Sequence, residues 1–152
     1  MTRIAHPGAL FIAIGLLALG LGPATGPSMQ SVRLPFAATF DGVSNAGSAW
    51  AGQVRGQPGG RVRVTLHQVE SPLEAARPVW HVQARWTVET GSAMGSFTGD
   101  LEGMVDWKTG ATRLGGVVTS GWMKGAWVQQ TGRFVNGDLS GILEITPSVA
   151  GR

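Results

Sequence analysis

The sequence predicts an all-β domain: about eight antiparallel strands in a meander, closed into a small barrel. Three observations carry this. From residue 35 onward, apolar and polar residues alternate with a period of two almost throughout, as strands with one covered face require. Glycines fall inside those alternating stretches as well as between them, and a glycine within a strand marks a sharp bend or a close backbone approach, as in a curled or closed sheet. Helical signals shrink to residues 71–76, which Pro78 stops. A β-sandwich is the alternative, but it gives less reason for inward glycines to face one another.

Residues 1–24 read as an export signal. Arg3 and His6 lie in a short polar start, Ala9 to Leu21 carries no charge, and Gly22-Pro23-Ala24 supplies small residues before a polar segment. The apolar run is shorter than the ~20 residues a span needs and ends in glycine and proline. The expectation is therefore a secreted or periplasmic protein with no stable membrane span after signal removal. Residues 25–34 would form a flexible lead-in, 35–147 the barrel and 148–152 a tail.

The chain has no cysteine. Thiol nucleophiles, zinc–thiolate sites and a lipid-modified N-terminus are excluded, and stability must rest on burial and sheet closure. Lys and Arg number 12 against 9 Asp and Glu, a formal charge of +3 that falls to +2 once Arg3 is removed. The arginines are scattered singly, without a run that could track phosphate, so no nucleic-acid partner is expected.

The strands expected in order are 35–42, 48–57, 61–69, 79–90, 95–107, 112–120, 125–135 and 138–146. Asn136-Gly137 is the strongest two-residue hairpin signal. Pairing Val135 with Asp138 sets Phe134 against Leu139, Gly132 against Gly141, Gln130 against Leu143 and Val128 against Ile145, all on one apolar face. Trp127 and Arg133 fall on the wet face. A turn at Lys108-Thr-Gly-Ala111 sets Val105 against Leu114, Gly103 against Gly116 and Leu101 against Val118, with Asp106 meeting Arg113 on the polar side. Trp80, Val82, Ala84, Trp86 and Val88 alternate with His81, Gln83, Arg85, Thr87 and Glu89. Placing Val88 opposite Phe97 lays Trp86 across Gly99 and Val82 across Gly103, an aromatic over bare backbone. The Pro58-Gly59-Gly60 turn sets Trp50, Gly52, Val54 and Gly56 against Gln68, Leu66, Val64 and Val62. In each hairpin the glycines join the apolar face.

The stretch Thr109-Gly110-Ala-Thr-Arg-Leu114-Gly115-Gly116 through Gly121-Trp122-Met-Lys124-Gly125-Ala126 resembles the allene oxide cyclase and dirigent barrels and their small bacterial relatives. There, a Thr-Gly turn leads into a glycine-ended strand and then a Gly-Ala step. Gly95-Ser-Phe97-Thr-Gly99 is similar to the glycine-spaced strand that precedes this region in such barrels. Val117 follows Gly115-Gly116 where those proteins continue Gly-Gly-Thr-Gly. The resemblance implies a barrel with an apolar interior, and it transfers no catalytic residue.

Several constellations could carry chemistry. His67 and His81 fall on the polar face, where solvated histidines outrank a metal pair or a general base. Asp100, Glu102 and Asp106 could supply a carboxylate pair, but a wet strand face has the same appearance. Ser48 and Ser120 lack a nucleophile-elbow setting, and the glycine-rich turns lack the lysine of a phosphate loop. No cofactor or metal is expected. Six tryptophans stand against no tyrosine. Trp50, Trp80, Trp86 and Trp107 fall on the apolar face, where they fill the core or wall a ligand cavity with Gln130 as its lone polar group. Trp122 and Trp127 are the expected surface contacts, for a glycan or a protein. The sequence thus favours a non-enzymatic barrel that binds a small apolar ligand or a partner. The alternatives are a cyclase or isomerase working inside the barrel and capture through the surface tryptophans. An outer-membrane barrel is disfavoured, because Arg85, Glu89, Asp100, Glu102 and Arg133 occupy the outward face.

Overall fold

A computed structural model describes residues 30–68, 77–92 and 94–148. The expected signal (1–24), the single helical turn at 71–76 and most of the C-terminal tail lie outside these. Eight strands follow in order: β1 Val32–Ser44, β2 Gly47–Val54, β3 Gly60–Gln68, β4 Val79–Thr90, β5 Phe97–Asp106, β6 Ala111–Gly121, β7 Trp127–Val135 and β8 Asp138–Thr146. Each pairs antiparallel with the next, and β1 pairs with β8, so the sheet is a closed barrel without edges. The barrel begins at Val32, three residues ahead of the expected start, because β8 offers the start of β1 a partner through Val32 opposite Ile145.

Burial follows the alternation. Inward positions such as Leu34, Val64, Trp86, Val105, Val128 and Leu143 are buried, while their neighbours along each strand are exposed or half-exposed and mostly polar. The β7–β8 hairpin has the expected register from Val135 opposite Asp138 to Trp127 opposite Thr146. Its turn holds Asn136 at φ 53 and Gly137 at φ 89, the pair of positive angles that matches the twist of the flanking strands. The β4–β5 register is also as expected, with Trp86 opposite Gly99 and Val82 opposite Gly103.

Two registers differ, each by an even number of residues. In β5–β6, Val105 lies opposite Thr112 and Gly103 opposite Leu114. The Asp106 carboxylate accepts from the backbone N–H groups of Lys108 and Thr109 and from the Thr109 hydroxyl. It thereby closes a four-residue loop, 107–110, where a two-residue one was expected. The pairing of Asp106 with Arg113 does not form, since Arg113 faces Met104. In β2–β3, Trp50 lies opposite Val64 and Val54 opposite Gly60. Here Arg55 leaves the hairpin to donate its N–H to Pro35 O at 2.8 Å, and Gly56 takes φ 108, so the loop spans five residues. Because side chains alternate with period two, an even slip leaves every residue that stays in the ladder on its expected face, while Trp107 and Gly56 pass into the loops.

The inward glycines mark where the sheet coils hardest. A Cβ on Gly116 would sit 2.0 Å from Asp100 O and 2.7 Å from Leu101 Cα, and one on Gly141 would sit 2.1 Å from Thr131 O. At these places the neighbouring strand's backbone occupies the space of the side chain. The outer face carries cross-strand ion pairs between Arg61 and Glu89, Arg85 and Asp100, and Arg33 and Glu144. Exposed pairs of this kind add little stability; they make this face polar. Among the described residues no helix is long and apolar enough to cross a membrane.

Candidate functional site

The two ends of the barrel differ. At one end lie the turns 45–46, 107–110 and 136–137 and the Arg77-Pro78 lead into β4. Inward parity brings large rings here from several strands. Trp50 on β2 is buried and donates Nε1–H to Gly137 O at 2.8 Å. Phe134 comes from the end of β7. Phe40 lies just before the bulge between Phe40 and Gly42 that bends β1, and it is 51% exposed. Trp80 opens β4 and donates Nε1–H to Arg77 O at 2.9 Å. Trp107 follows β5 directly, its backbone N–H held by Pro78 O at 2.7 Å, and it is 40% exposed. The longer 107–110 loop places Trp107 on the barrel end; the shorter expected turn would have kept it in the ladder.

These rings touch in series. Phe40 meets Trp50 at 5.4 Å between centroids, Trp50 meets Phe134 at 5.1 Å, Phe134 stacks on Trp107 at 5.0 Å and 30°, and Trp107 meets Trp80 edge-on at 5.4 Å. Aromatic pairs at such distances contribute roughly 0.5–1.5 kcal/mol each beyond burial, so the rings brace one another and the wall exists before any ligand arrives. Hollows open on either side of it. One of about 500 Å³ lies among Phe40, Trp50, Trp107, Phe134, Arg133 and Asn136. The other, of about 290 Å³, is lined by Val43, Trp50, Leu66, His67, Trp80 and Trp107. Trp50 and Trp107 face both.

Trp86 and Gln130 do not join them. Both lie in the middle of the barrel at 1% exposure. The side chains around them, with Val64, Leu66, Val105 and Leu114 among them, pack without space for a water molecule. Trp86 and Gln130, expected to wall a ligand cavity, are enclosed here, with the Trp86 ring itself filling the middle of the barrel. Phe36 packs edge-on against it at 4.8 Å. Gln130 is not the lone inward polar group either. Its Nε2 donates to Thr112 Oγ1 at 2.7 Å in the core, while Gln130 Oε1 and Trp86 Nε1 have no partner. Thr112 escaped the sequence reading, yet it shares parity with Leu114 and Gly116, and that signal was sufficient to place it inside.

The expected surface tryptophans separate from each other. Trp122 is half-buried in the 122–126 turn at the opposite end, 6.0 Å from Phe97 between ring centroids. Trp127 is 54% exposed on the outer face. Its ring covers Gly115, where a Cβ would lie 3.1 Å from Trp127 Cζ2, and it borders a shallow outer groove of about 610 Å³ with Gln83, Arg85, Asp100, Glu102 and Val117.

The titratable groups singled out from the sequence have structural partners. Arg85 binds Asp100 through Nε at 2.8 Å and Nη2 at 3.2 Å, and this hydrogen-bonded pairing raises the guanidinium pKa. His81 Nε2 lies 2.7 Å from Glu102 Oε1. The hydrogen bond from Thr109, aided by the N–H groups of Lys108 and Thr109, holds the Asp106 carboxyl below its ordinary value. His67 is exposed at the rim of the aromatic end. Among the described residues, no group of three or more His, Asp or Glu side chains is placed to hold a metal ion. Compared with known protein-family models, curated proteins and solved structures, the chain matches none of them.

Proposed function

We propose that the chain is an exported, non-enzymatic binding barrel that takes a small apolar ligand at its aromatic end. The observation that carries this is the braced series Phe40, Trp50, Phe134, Trp107 and Trp80 between two hollows. Such a ligand would lie against the rings, with Lys108, Arg133 and Asn136 at the edge of the larger hollow and His67 at the smaller one facing its polar parts. A wall held by its own ring contacts loses little side-chain entropy when the ligand binds. The resemblance of residues 109–126 to the allene oxide cyclase and dirigent barrels is consistent with this reading and is proposed as kinship only.

The test is intrinsic tryptophan fluorescence titrated with fatty acids and terpenoids, in the wild type and in Trp107→Ala. The wild type should show a saturable spectral shift, and the substitution should weaken binding about tenfold or more, as loss of an aromatic anchor does. No response to any apolar ligand removes the proposal. A second reading is favoured by Trp127. An exposed indole beside Gln83, Arg85, Asp100 and Glu102 offers a sugar both a ring to stack on and hydrogen-bonding groups. Capture on a glycan array that is lost in Trp127→Ala would favour that outer surface over the aromatic end.

A further inference from the structure

We infer that the ligand taken at the aromatic end is an apolar skeleton bearing one hydroxyl, which is received inside the barrel by Trp86 Nε1–H and Gln130 Oε1. This rests on the aromatic end being the binding site. Trp86 and Gln130 are each 1% exposed, and these two atoms have no hydrogen-bond partner. An orphaned donor and an orphaned acceptor both forfeit the hydrogen bonds they make with water in the unfolded chain. Phe and Leu would fill much the same space without that loss. Both side chains line the same tight inner space, together with Thr112, Val64, Val105 and Phe134. The far end of the Gln130 amide is already engaged by Thr112.

The chemistry of the two free groups narrows what they can receive. A hydroxyl accepts from the indole N–H and donates to the amide oxygen, so it satisfies both. A ketone or an ether could answer only the donor as the amide now stands. A carboxylate or an ammonium would bring a charge into a core whose buried polar side chains, Thr112 and Gln130, carry none. A hydrocarbon would leave both groups unsatisfied.

The route inward is short. Phe134 borders both the 500 Å³ hollow and the inner space, and Leu66 borders both the 290 Å³ hollow and the inner space. Phe134 and Leu66 are thus the side chains that the mouth and the inner space have in common. In the closed arrangement the inner space admits no water molecule, so a hydroxyl enters only when a side chain at its border moves. Displacing the half-buried Phe134 toward the mouth would join that space to the larger hollow.

The experiment compares probes that share a skeleton, menthol against menthone and p-menthane, and 1-nonanol against decane, on the mature protein. Affinity is measured by calorimetry, and the indole N–H of Trp86 is followed in a ¹H–¹⁵N spectrum, assigned through Trp86→Phe. The alcohols should bind at least about tenfold tighter than their hydrocarbons, the scale of one to two net hydrogen bonds, and they should move the Trp86 N–H resonance while the hydrocarbons leave it in place. Gln130→Leu should bring the alcohol-to-hydrocarbon ratio toward one, and Trp86→Phe should do the same while keeping a ring in place. Equal binding of alcohol and hydrocarbon, or a ratio that survives both substitutions, overturns the inference and leaves the aromatic-end reading standing. Binding of none of the five probes overturns both.

Discussion

Replacing Gly116 with alanine tests the coil of the barrel directly. The added Cβ would lie 2.0 Å from Asp100 O, 2.7 Å from Leu101 Cα and 2.9 Å from Asp100 C. All three are backbone atoms of β5, so no side-chain rotation relieves the overlap, and β5 and β6 must move apart by about an ångström or more to reach ordinary contact distance. Forcing a methyl group into a packed site costs typically 1–3 kcal/mol, and the backbone identity of the obstacles puts Gly116→Ala at the upper end. For a domain of this size that is a fall in Tm on the order of 10 °C. Gly91→Ala is the control. A Cβ there meets nothing within 4 Å, so the change should be neutral or raise stability slightly by restricting the unfolded chain. Thermal melts followed by circular dichroism, with urea titrations to check that the slope is unchanged, give both numbers. A Gly116→Ala melt within a degree or two of wild type would show that the strands do not approach this closely, and the coiled barrel would have to be abandoned.

Other outcomes follow from single contacts. Trp127→Ala should leave the melting temperature nearly unchanged, because the ring is 54% exposed and lies over Gly115; a fall of more than about 10 °C would place it in the core. Trp50→Phe removes the hydrogen bond to Gly137 O and part of a buried ring. It should cost about 1–2 kcal/mol in denaturant unfolding, whereas an unchanged midpoint would show that the indole does not anchor the β7–β8 turn. Asp106 has a folded pKa below its unfolded value of about 3.9. The stability it contributes is therefore complete above that value and lost as pH falls through the lower, folded one. The amide resonances of Lys108 and Thr109 should titrate with that depressed midpoint, and in Asp106→Asn the acid-dependent change should vanish; a midpoint at or above 3.9 contradicts the contact.

Parity was legible in the sequence and loop length was not. Alternation placed Trp86, Val88, Leu101, Val128 and Gln130 inward because one covered face imposes a period of two over whole strands. The register around Asn136-Gly137 was legible because a two-residue turn with two positive φ angles admits one pairing. At 107–110 and 55–59 the loops lengthen through contacts that no local pattern announces. One is a carboxylate capping backbone N–H groups, and the other is a backbone bond from Arg55 to Pro35 that extends the β1–β2 pairing by a rung. Both slips are even, so they preserved the faces while moving the partners. The consequence for the site was unequal. Trp50 and Trp80 stayed where parity put them, but Trp107 moved to the barrel end, and only there can it touch both Phe134 and Trp80. The filling of the interior was hidden for a different reason. An inward glycine reads as empty space, whereas here at Gly116 and Gly141 the adjoining strand's backbone stands in that space.

The asymmetry of the two ends decides which one a ligand can use. At the end carrying the 55–59, 91–96 and 122–126 connections, Leu34, Val54, Val88, Phe97 and Ile145 form a layer with none above 3% exposure, and Trp122 and Met123 pack against it from the turn. Entry there would require separating a close-packed layer drawn from five of the strands. At the other end the bulge in β1 and the capped 107–110 loop turn Phe40 and Trp107 outward to 51% and 40% exposure, while Trp50 beneath them stays buried. The rings thus pass from exposed to enclosed over a few ångströms, with Phe134 at the boundary of the inner space that holds Trp86 and Gln130. A molecule entering this way would meet apolar surface first and unsatisfied polar groups last, so its apolar body would remain at the mouth while its polar group pointed inward. That orientation is the reverse of what a detergent-like surface adsorption would produce, because adsorption leaves the polar group in water.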